Sequence, residues 1–167
     1  YRASKPIIAA VEGYALAGGF ELAITCDLIV AADNSRFGIP EVKRGLAAAA
    51  GGLVKLPKQI PPRIAMELAL TGDFVDAARV YELGLINRVC EAGRALDGAM
   101  ELAQKIAANG PLAVAASLKT IAGAQDWRSD EMFAKQAEIV NPVFTSEDAI
   151  EGATAFAEKR APLWKGK

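Results

Sequence analysis

Three places in the chain carry residue types and spacings that could do chemistry. In Tyr14-Ala15-Leu16-Ala17-Gly18-Gly19-Phe20-Glu21-Leu22, paired glycines come just before an expected helix. Free N–H groups at a helix start, unobstructed by side chains, point toward whatever negative charge lies there. A carbonyl oxygen becoming an oxyanion is such a charge, and Gly18 would be its donor. The same pair reads equally as a permit for a tight turn or close packing. Glu21 falls in the first turn of that helix, where the dipole favours a carboxylate. Glu41 follows on the Ile39-Pro40-Glu41 loop. Two carboxylates meeting in one pocket form an acid–base pair around a water; kept apart they are solvated surface acids, and spacing leaves both readings open. Near the end, Phe156 and Lys159 share a face of the last expected helix and could clamp an aromatic ring and a phosphate. An ordinary helix end, with cations complementing its dipole, reads the same residues.

Composition narrows the chemistry further. The chain has 167 residues and no histidine. No Ser-His-Asp or Cys-His machinery and no His-ligated metal can be built from it, so acid–base work falls to carboxylates, Lys, Tyr or Cys. The two cysteines, Cys26 and Cys90, are too few and too far apart for a disulfide framework or zinc site, and their apolar neighbours suggest buried packing. A reducing, cytoplasmic setting fits them. A net charge of −1 predicts no nucleic-acid or anionic-membrane partner. No run reaches the roughly 18 apolar residues of a membrane span. The sequence opens at Tyr1 and reads as a piece cut or trimmed from something longer.

The elements that must position these groups change character near residue 60. Residues 1–60 are expected to form part of an α/β core carrying the site, and 61–167 the rest of the core with a helical region. Pro6 to Val11 reads as a buried strand, because β-branched residues dominate and no helical period appears. Gly13 to Gly19 follows as a turn, Phe20 to Thr25 as a short helix and Asp27 to Ala32 as a second buried strand. Arg36-Phe37-Gly38 is a brief extended piece. Helices are expected from Pro62 to Leu70, from Ala77 to Leu83 with Gly84 closing it, and over Leu96–Ala107, with another opened by Pro111. Ile86 to Cys90 reads as a short strand. Ser129 and Ser146, each followed by two acids, read as N-terminal caps. Small, alanine-rich helices point to oligomerisation.

Taken together, these residues resemble the enoyl-CoA hydratase, or crotonase, family. The likeness is carried by Lys5-Pro6-Ile7-Ile8-Ala9-Ala10-Val11-Glu12-Gly13 and the Tyr14–Ala23 stretch, then by Cys26-Asp27, Phe37-Gly38-Ile39-Pro40-Glu41, Gly45-Leu46 and Gly51-Gly52. It continues through 65–72 and 84–89 to Ala155-Phe156-Ala157-Glu158-Lys159-Arg160 and Trp164-Lys165-Gly166-Lys167. The resemblance implies an α/β fold, a crotonase-like spiral of ββα units with a C-terminal helical oligomerisation region. It also implies trimers, or dimers of trimers, acting on acyl-CoA thioesters. Coenzyme A then enters as part of the substrate, and no other cofactor is needed. In this pattern Gly18 matches an oxyanion-hole donor. Glu21 matches the glutamate that holds and activates water, Glu41 the one exchanging a proton at the α carbon. Phe156 and Lys159 match positions contacting the nucleotide end of CoA, commonly in a neighbouring subunit. Hydration of a trans-2-enoyl-CoA is the implied reaction. Another crotonase reaction, isomerisation or hydroxyacyl-CoA dehydration, is the nearest alternative.

Two departures bear on these expectations. Family members are longer at the N-terminus, where the other oxyanion donor arises. A chain complete as it stands is expected to lack a whole site, and one with the rest present to have an ordinary site; a non-catalytic acyl-CoA-binding or assembly module is a further alternative. Ala48 and Ala49 stand where the family usually has proline and often glycine, in a segment lining the acyl end of the site. That change bears on acyl-chain preference more than on the reaction.

Overall fold

Two small sheets grow side by side as the chain advances, taking strands in turn. The computed structural model describes residues 3–167. Strand β1 (Ile8–Val11) pairs in parallel with β3 (Leu28–Ala32), and β3 with β6 (Arg88–Cys90), with Ala9 opposite Ile29 and Ala31 opposite Val89. The second sheet pairs β2 (Tyr14–Leu16) in parallel with β4 (Arg36–Gly38), and β4 with antiparallel β5 (Val75–Asp76). Between them run helix α1 (Gly18–Ala23), a 3-10 helix (Pro40–Arg44), α2 (Gly52–Gln59), α3 (Pro62–Thr71) and α4 (Ala77–Glu82). Strand β3 is apolar throughout and buried from Ile29 to Ala32, the pattern of a strand covered on both faces. Beneath α1, the rings of Phe20 and Phe37 lie 5.6 Å apart and are fully buried.

Long-range polar contacts fasten this arrangement. The Glu12 carboxylate accepts from the N–H groups of Gly93 and Ala95 at 3.0 and 2.7 Å, capping the start of α5 (Ala95–Ala107). Asn87 bonds both sides of Ile29: its Oδ1 accepts the Ile29 N–H, and its own N–H donates to the Ile29 carbonyl, both at 2.8 Å. The fully buried Ser35 hydroxyl donates to the Val11 carbonyl.

The chain divides into two compact units, Ile7–Ala103 and a second comprising Gln104–Lys167 with the first residues. The change of character near residue 60 thus falls inside the first unit. In the second, α6 (Pro111–Ala124), α7 (Met132–Phe144) and α8 (Glu147–Glu158) precede a C-terminal strap. Trp164 lies over Gly110 and Gly152 and donates its indole N–H to the Ala108 carbonyl at 2.8 Å. Asp148 is 4% exposed and accepts the Lys165 and Gly166 N–H groups, fixing the strap to the start of α8.

Several local expectations are corrected. The stretch 13–19 is not all turn, since β2 lies within it, and Ile39-Pro40-Glu41 leads into a 3-10 helix rather than an open loop. Helix α2 was not expected, because Gly51-Gly52 and Pro57 obscure its helical pattern. Ser146 caps α8 through the Ala149 N–H as expected, but Ser129 caps nothing: Glu131 occupies the N-cap of α7 without a side-chain cap bond. Cys26 and Cys90 are half-buried rather than buried. Burial, aided by Asp27, raises the Cys26 thiol pKa.

Gly98 offers a sharp packing test. A Cβ there would stand 2.5 Å from Cys90 Sγ and 3.2 Å from Val30 Cγ1. Ala is better than Gly in a helix by about 1 kcal/mol, but overpacking costs about 1–3 kcal/mol, so the clash should dominate. G98A is expected to lower the urea midpoint, and C90A/G98A to recover most of the loss; additive losses would contradict this packing. In the second unit, the Arg160 guanidinium and the Leu163 N–H hold the Glu151 carboxyl down at about 2. A carboxyl depressed on folding favours the native state above its unfolded value, and that contribution disappears as pH falls toward the folded one. NMR titration should place the Glu151 midpoint near 2 and, in R160Q, return it toward the ordinary 4.5.

Candidate active site

Gly18, Glu21 and Glu41 all enter from the same end of one strand pair. In parallel β2 and β4, Leu16 lies opposite Gly38, and the Ala17 N–H donates to the Gly38 carbonyl at 2.9 Å. Just beyond Leu16, Gly18 opens α1; just beyond Gly38, Pro40 opens the 3-10 helix that bears Glu41. The carboxyl ends of parallel strands are where α/β folds gather ligand-binding loops. The Phe20–Phe37 pair ties the two exits together from below.

Glu21 is the most constrained of these residues. It is 4% exposed, and burying a carboxyl without hydrogen bonds is costly. Its Oε1 accepts two backbone N–H groups, from Ala50 and Gly52, each at 2.8 Å. Its Oε2 has no partner among the described residues. The approach is tight at Gly52: a Cβ there would sit 3.1 Å from both Glu21 Cγ and Oε1, so the Glu21 side chain would have to shift. Gly51, with φ 114°, turns the chain so that both N–H groups face one oxygen.

Glu41 is half-buried in the first turn of its 3-10 helix, and its Oε2 is buried with no hydrogen-bond partner. Such orphaned buried oxygens are uncommon in folded proteins. The Glu41 carbonyl accepts the Leu46 N–H at 3.1 Å, and Gly45 ends the helix in the left-handed conformation. The alanine segment 47–50 then runs from Glu41's helix to the N–H groups that grip Glu21. Within it only Ala48 is buried.

At the start of α1, the N–H groups of Gly18 and Gly19 have no acceptor among the described residues. Gly18 is exposed, and a Cβ there would meet nothing within 4 Å, so the approach to its N–H is open. The preceding Ala17 has φ 51° and ψ −128°, an arrangement that side-chain-bearing residues avoid at about 1–3 kcal/mol. Its carbonyl accepts from both Phe20 and Glu21, so this strained residue orients the whole start of the helix.

Phe156 and Lys159 belong to the second unit. Phe156 is 87% exposed near the end of α8. Lys159 lies just past the helix, as its C-cap at φ 55°, rather than on its face. Ala17, Ala50 and Gly52 were not singled out by spacing. Their parts are played by backbone atoms, and only the Gly51-Gly52 pair left a mark in the sequence. A cleft of about 700 Å³ elsewhere on the first unit, lined by Arg88, Cys90 and Arg94 among others, contains neither glutamate. Its two arginines are paired with Glu101 and Asp97. No metal-holding group of three His, Cys, Asp or Glu occurs among the described residues. None of their helices is long and apolar enough to cross a membrane.

Comparison with known proteins places the chain among its relatives. The family described as enoyl-CoA hydratase/isomerase matches residues 1–167. A carnitinyl-CoA dehydratase of Proteus mirabilis is 45% identical over 169 residues, covering 98% of this chain and 64% of its own. One from Escherichia coli strain SMS-3-5 is 43% identical, covering 100% and 66%. Among solved structures, an enoyl-CoA hydratase from Mycobacterium tuberculosis H37Rv superposes with TM-score 0.97 at 63% identity, covering 98% of this chain and 65% of that one. An enoyl-CoA hydratase from Bacillus anthracis gives 0.95 at 35% identity, covering 98% and 64%. The chain thus spans about two thirds of the length of these relatives. These matches lead to one conclusion: the chain belongs to the enoyl-CoA hydratase/isomerase, or crotonase, family.

Proposed function

We propose that this chain carries the catalytic glutamates of a cytoplasmic hydro-lyase that adds water reversibly across the α,β double bond of a trans-2-enoyl-CoA, giving a 3-hydroxyacyl-CoA in acyl-CoA breakdown. The observation that carries the reading is the division of labour between the glutamates. Glu21 has one oxygen pinned by two N–H groups and the other free, whereas Glu41 has a buried oxygen with no partner. In the forward direction, Glu21 Oε2 takes a proton from water as its oxygen bonds to the β carbon. The π electrons move onto the thioester carbonyl, where the Gly18 N–H meets the growing negative charge. Glu41 delivers a proton to the α carbon, and the carbonyl re-forms. One water is consumed, and the two glutamates exchange protons with solvent to reset. No metal or redox group takes part. Phe156 and Lys159 are assigned to the adenine and phosphate end of CoA, within one subunit or across two.

Carnitinyl-CoA dehydratases of 43–45% identity favour a second reading in which the same machinery runs toward elimination from a hydroxyacyl-CoA. Both readings use the same residues and differ in the acyl group, where the small side chains of Ala47–Ala50 are the segment to vary. A homotrimer, or a dimer of trimers, is proposed as the assembly. Its support is α7, which has no buried residue and leaves Phe133 and Phe144 exposed.

E21Q and E41Q should each lower the hydration rate by ~100-fold or more, the usual worth of a general acid or base. Near-normal rates in both would remove the assigned roles. G52A should fold yet lose on the order of 100-fold in kcat, because its methyl displaces Glu21 from its two N–H donors. An unchanged kcat in a folded G52A would show that the pinned oxygen is not needed.

A further inference from the structure

Among the described residues, only Ala17 and Lys159 adopt positive φ without being glycine. The position after a helix end favours glycine, because a Cβ in the left-handed conformation costs about 1–2 kcal/mol. A lysine kept there against that preference calls for something to hold it. The backbone closes the helix through the Arg160 N–H to the Ala155 carbonyl at 3.0 Å and the Lys159 N–H to the Phe156 carbonyl at 3.2 Å. The Arg160 side chain then clamps the same turn. Its Nη1 and Nη2 donate to the two Glu151 oxygens at 2.6 and 3.0 Å, its Nε to Glu158 at 2.6 Å, and Nη1 also to the Ala161 carbonyl at 3.2 Å. Glu151 further accepts the Leu163 N–H at 2.7 Å, joining the clamp to the strap. With both carboxylates occupied by Arg160, the adjacent Lys159 has no ion-pair partner among the described residues. A clamp of three charged side chains therefore closes the turn beside a lysine whose backbone is strained and whose ammonium has no ion-pair partner among the described residues.

We propose that Arg160 is a positioning residue for CoA recognition: held by Glu151 and Glu158, it fixes the end of α8 so that Lys159 stays in the left-handed conformation from which its ammonium meets a phosphate of the nucleotide. This rests on the assignment of Lys159 made above. Arg160 is spent on carboxylates and touches no substrate; it acts through Lys159. The planar fork matters, since lysine cannot reproduce the bidentate grip.

The test is calorimetric binding of acetyl-CoA to wild type, K159Q, R160Q and K159Q/R160Q, with kcat and KM on an enoyl-CoA measured alongside. R160Q and K159Q should each weaken binding about tenfold, the worth of one charge-assisted hydrogen bond, and raise KM for the enoyl-CoA by a similar factor. The double variant should bind no more weakly than K159Q, because both changes remove the same contact. R160K should fail to rescue. Losses that add, wild-type binding by R160Q, or full rescue by R160K would each overturn the positioning role while leaving Lys159's assignment intact. Wild-type binding by K159Q would overturn both. K159G guards against misreading a folding defect: glycine suits the left-handed position, so this variant should melt at a higher temperature and still bind acetyl-CoA about tenfold more weakly. Wild-type affinity in K159G would also overturn both. If R160Q does not fold, E158Q, which keeps the Glu151 grip, should weaken binding severalfold, and unchanged binding there would overturn the clamp.

Discussion

The pairing of one carboxylate oxygen with two backbone N–H groups is the constraint around which the first unit is arranged. Glu21 is buried, so its Oε1 needs donors, and the chain brings them from far along the sequence, at Ala50 and Gly52. That requirement favours glycine at 52, where a Cβ would crowd Glu21, and goes with a left-handed turn at 51. It also anchors the far end of a segment whose near end is the 3-10 helix of Glu41. The two acids are thereby linked through one loop as well as through the register of β2 and β4.

The same economy of parts explains why so small a sheet suffices. Strands β2 and β4 are three residues each, too short to be stable alone. Phe20 and Phe37 supply the buried area that holds them, and each adjoins a residue that shapes the candidate site: Phe20 precedes Glu21, and Phe37 precedes the Gly38 carbonyl that receives the Ala17 N–H. Strain at Ala17 is sustained because that hydrogen bond and the two bonds to its own carbonyl over-determine its conformation. The second unit uses another device. There, carboxylates of α8 accept from the returning C-terminal strap: Asp148 from Lys165 and Gly166, and Glu151 from Leu163.

Much of this was legible in the sequence. The buried strands β1 and β3 announce themselves by unbroken β-branched and apolar runs, and α3, α5, α6 and α8 by their Pro, Gly and Ser boundaries. Gly18, Glu21 and Glu41 stand out as residue types, but only the strand register sets them at one end of the same sheet. What stayed hidden depends on tertiary context. Strand β2 lies in a glycine-flanked stretch whose extended form is imposed by pairing with β4. Helix α2 begins at two glycines and contains Pro57, so local propensity argues against it. The donors to Glu21 are backbone atoms, which no side-chain motif can advertise. Lys159 reads as one more helical cation until its φ of 55° separates it from the helix.

The central proposal is that Glu21 and Glu41 serve the two carbons of one double bond, Glu21 by activating the water that adds at the β carbon and Glu41 by delivering a proton to the α carbon. It is tested most directly by incubating the protein with a trans-2-enoyl-CoA in heavy water and reading the product by NMR. The account predicts a 3-hydroxyacyl-CoA carrying one deuteron at the α carbon and the new hydroxyl at the β carbon. A shifted double bond with no hydroxyl gained, or substrate recovered unchanged, would contradict it.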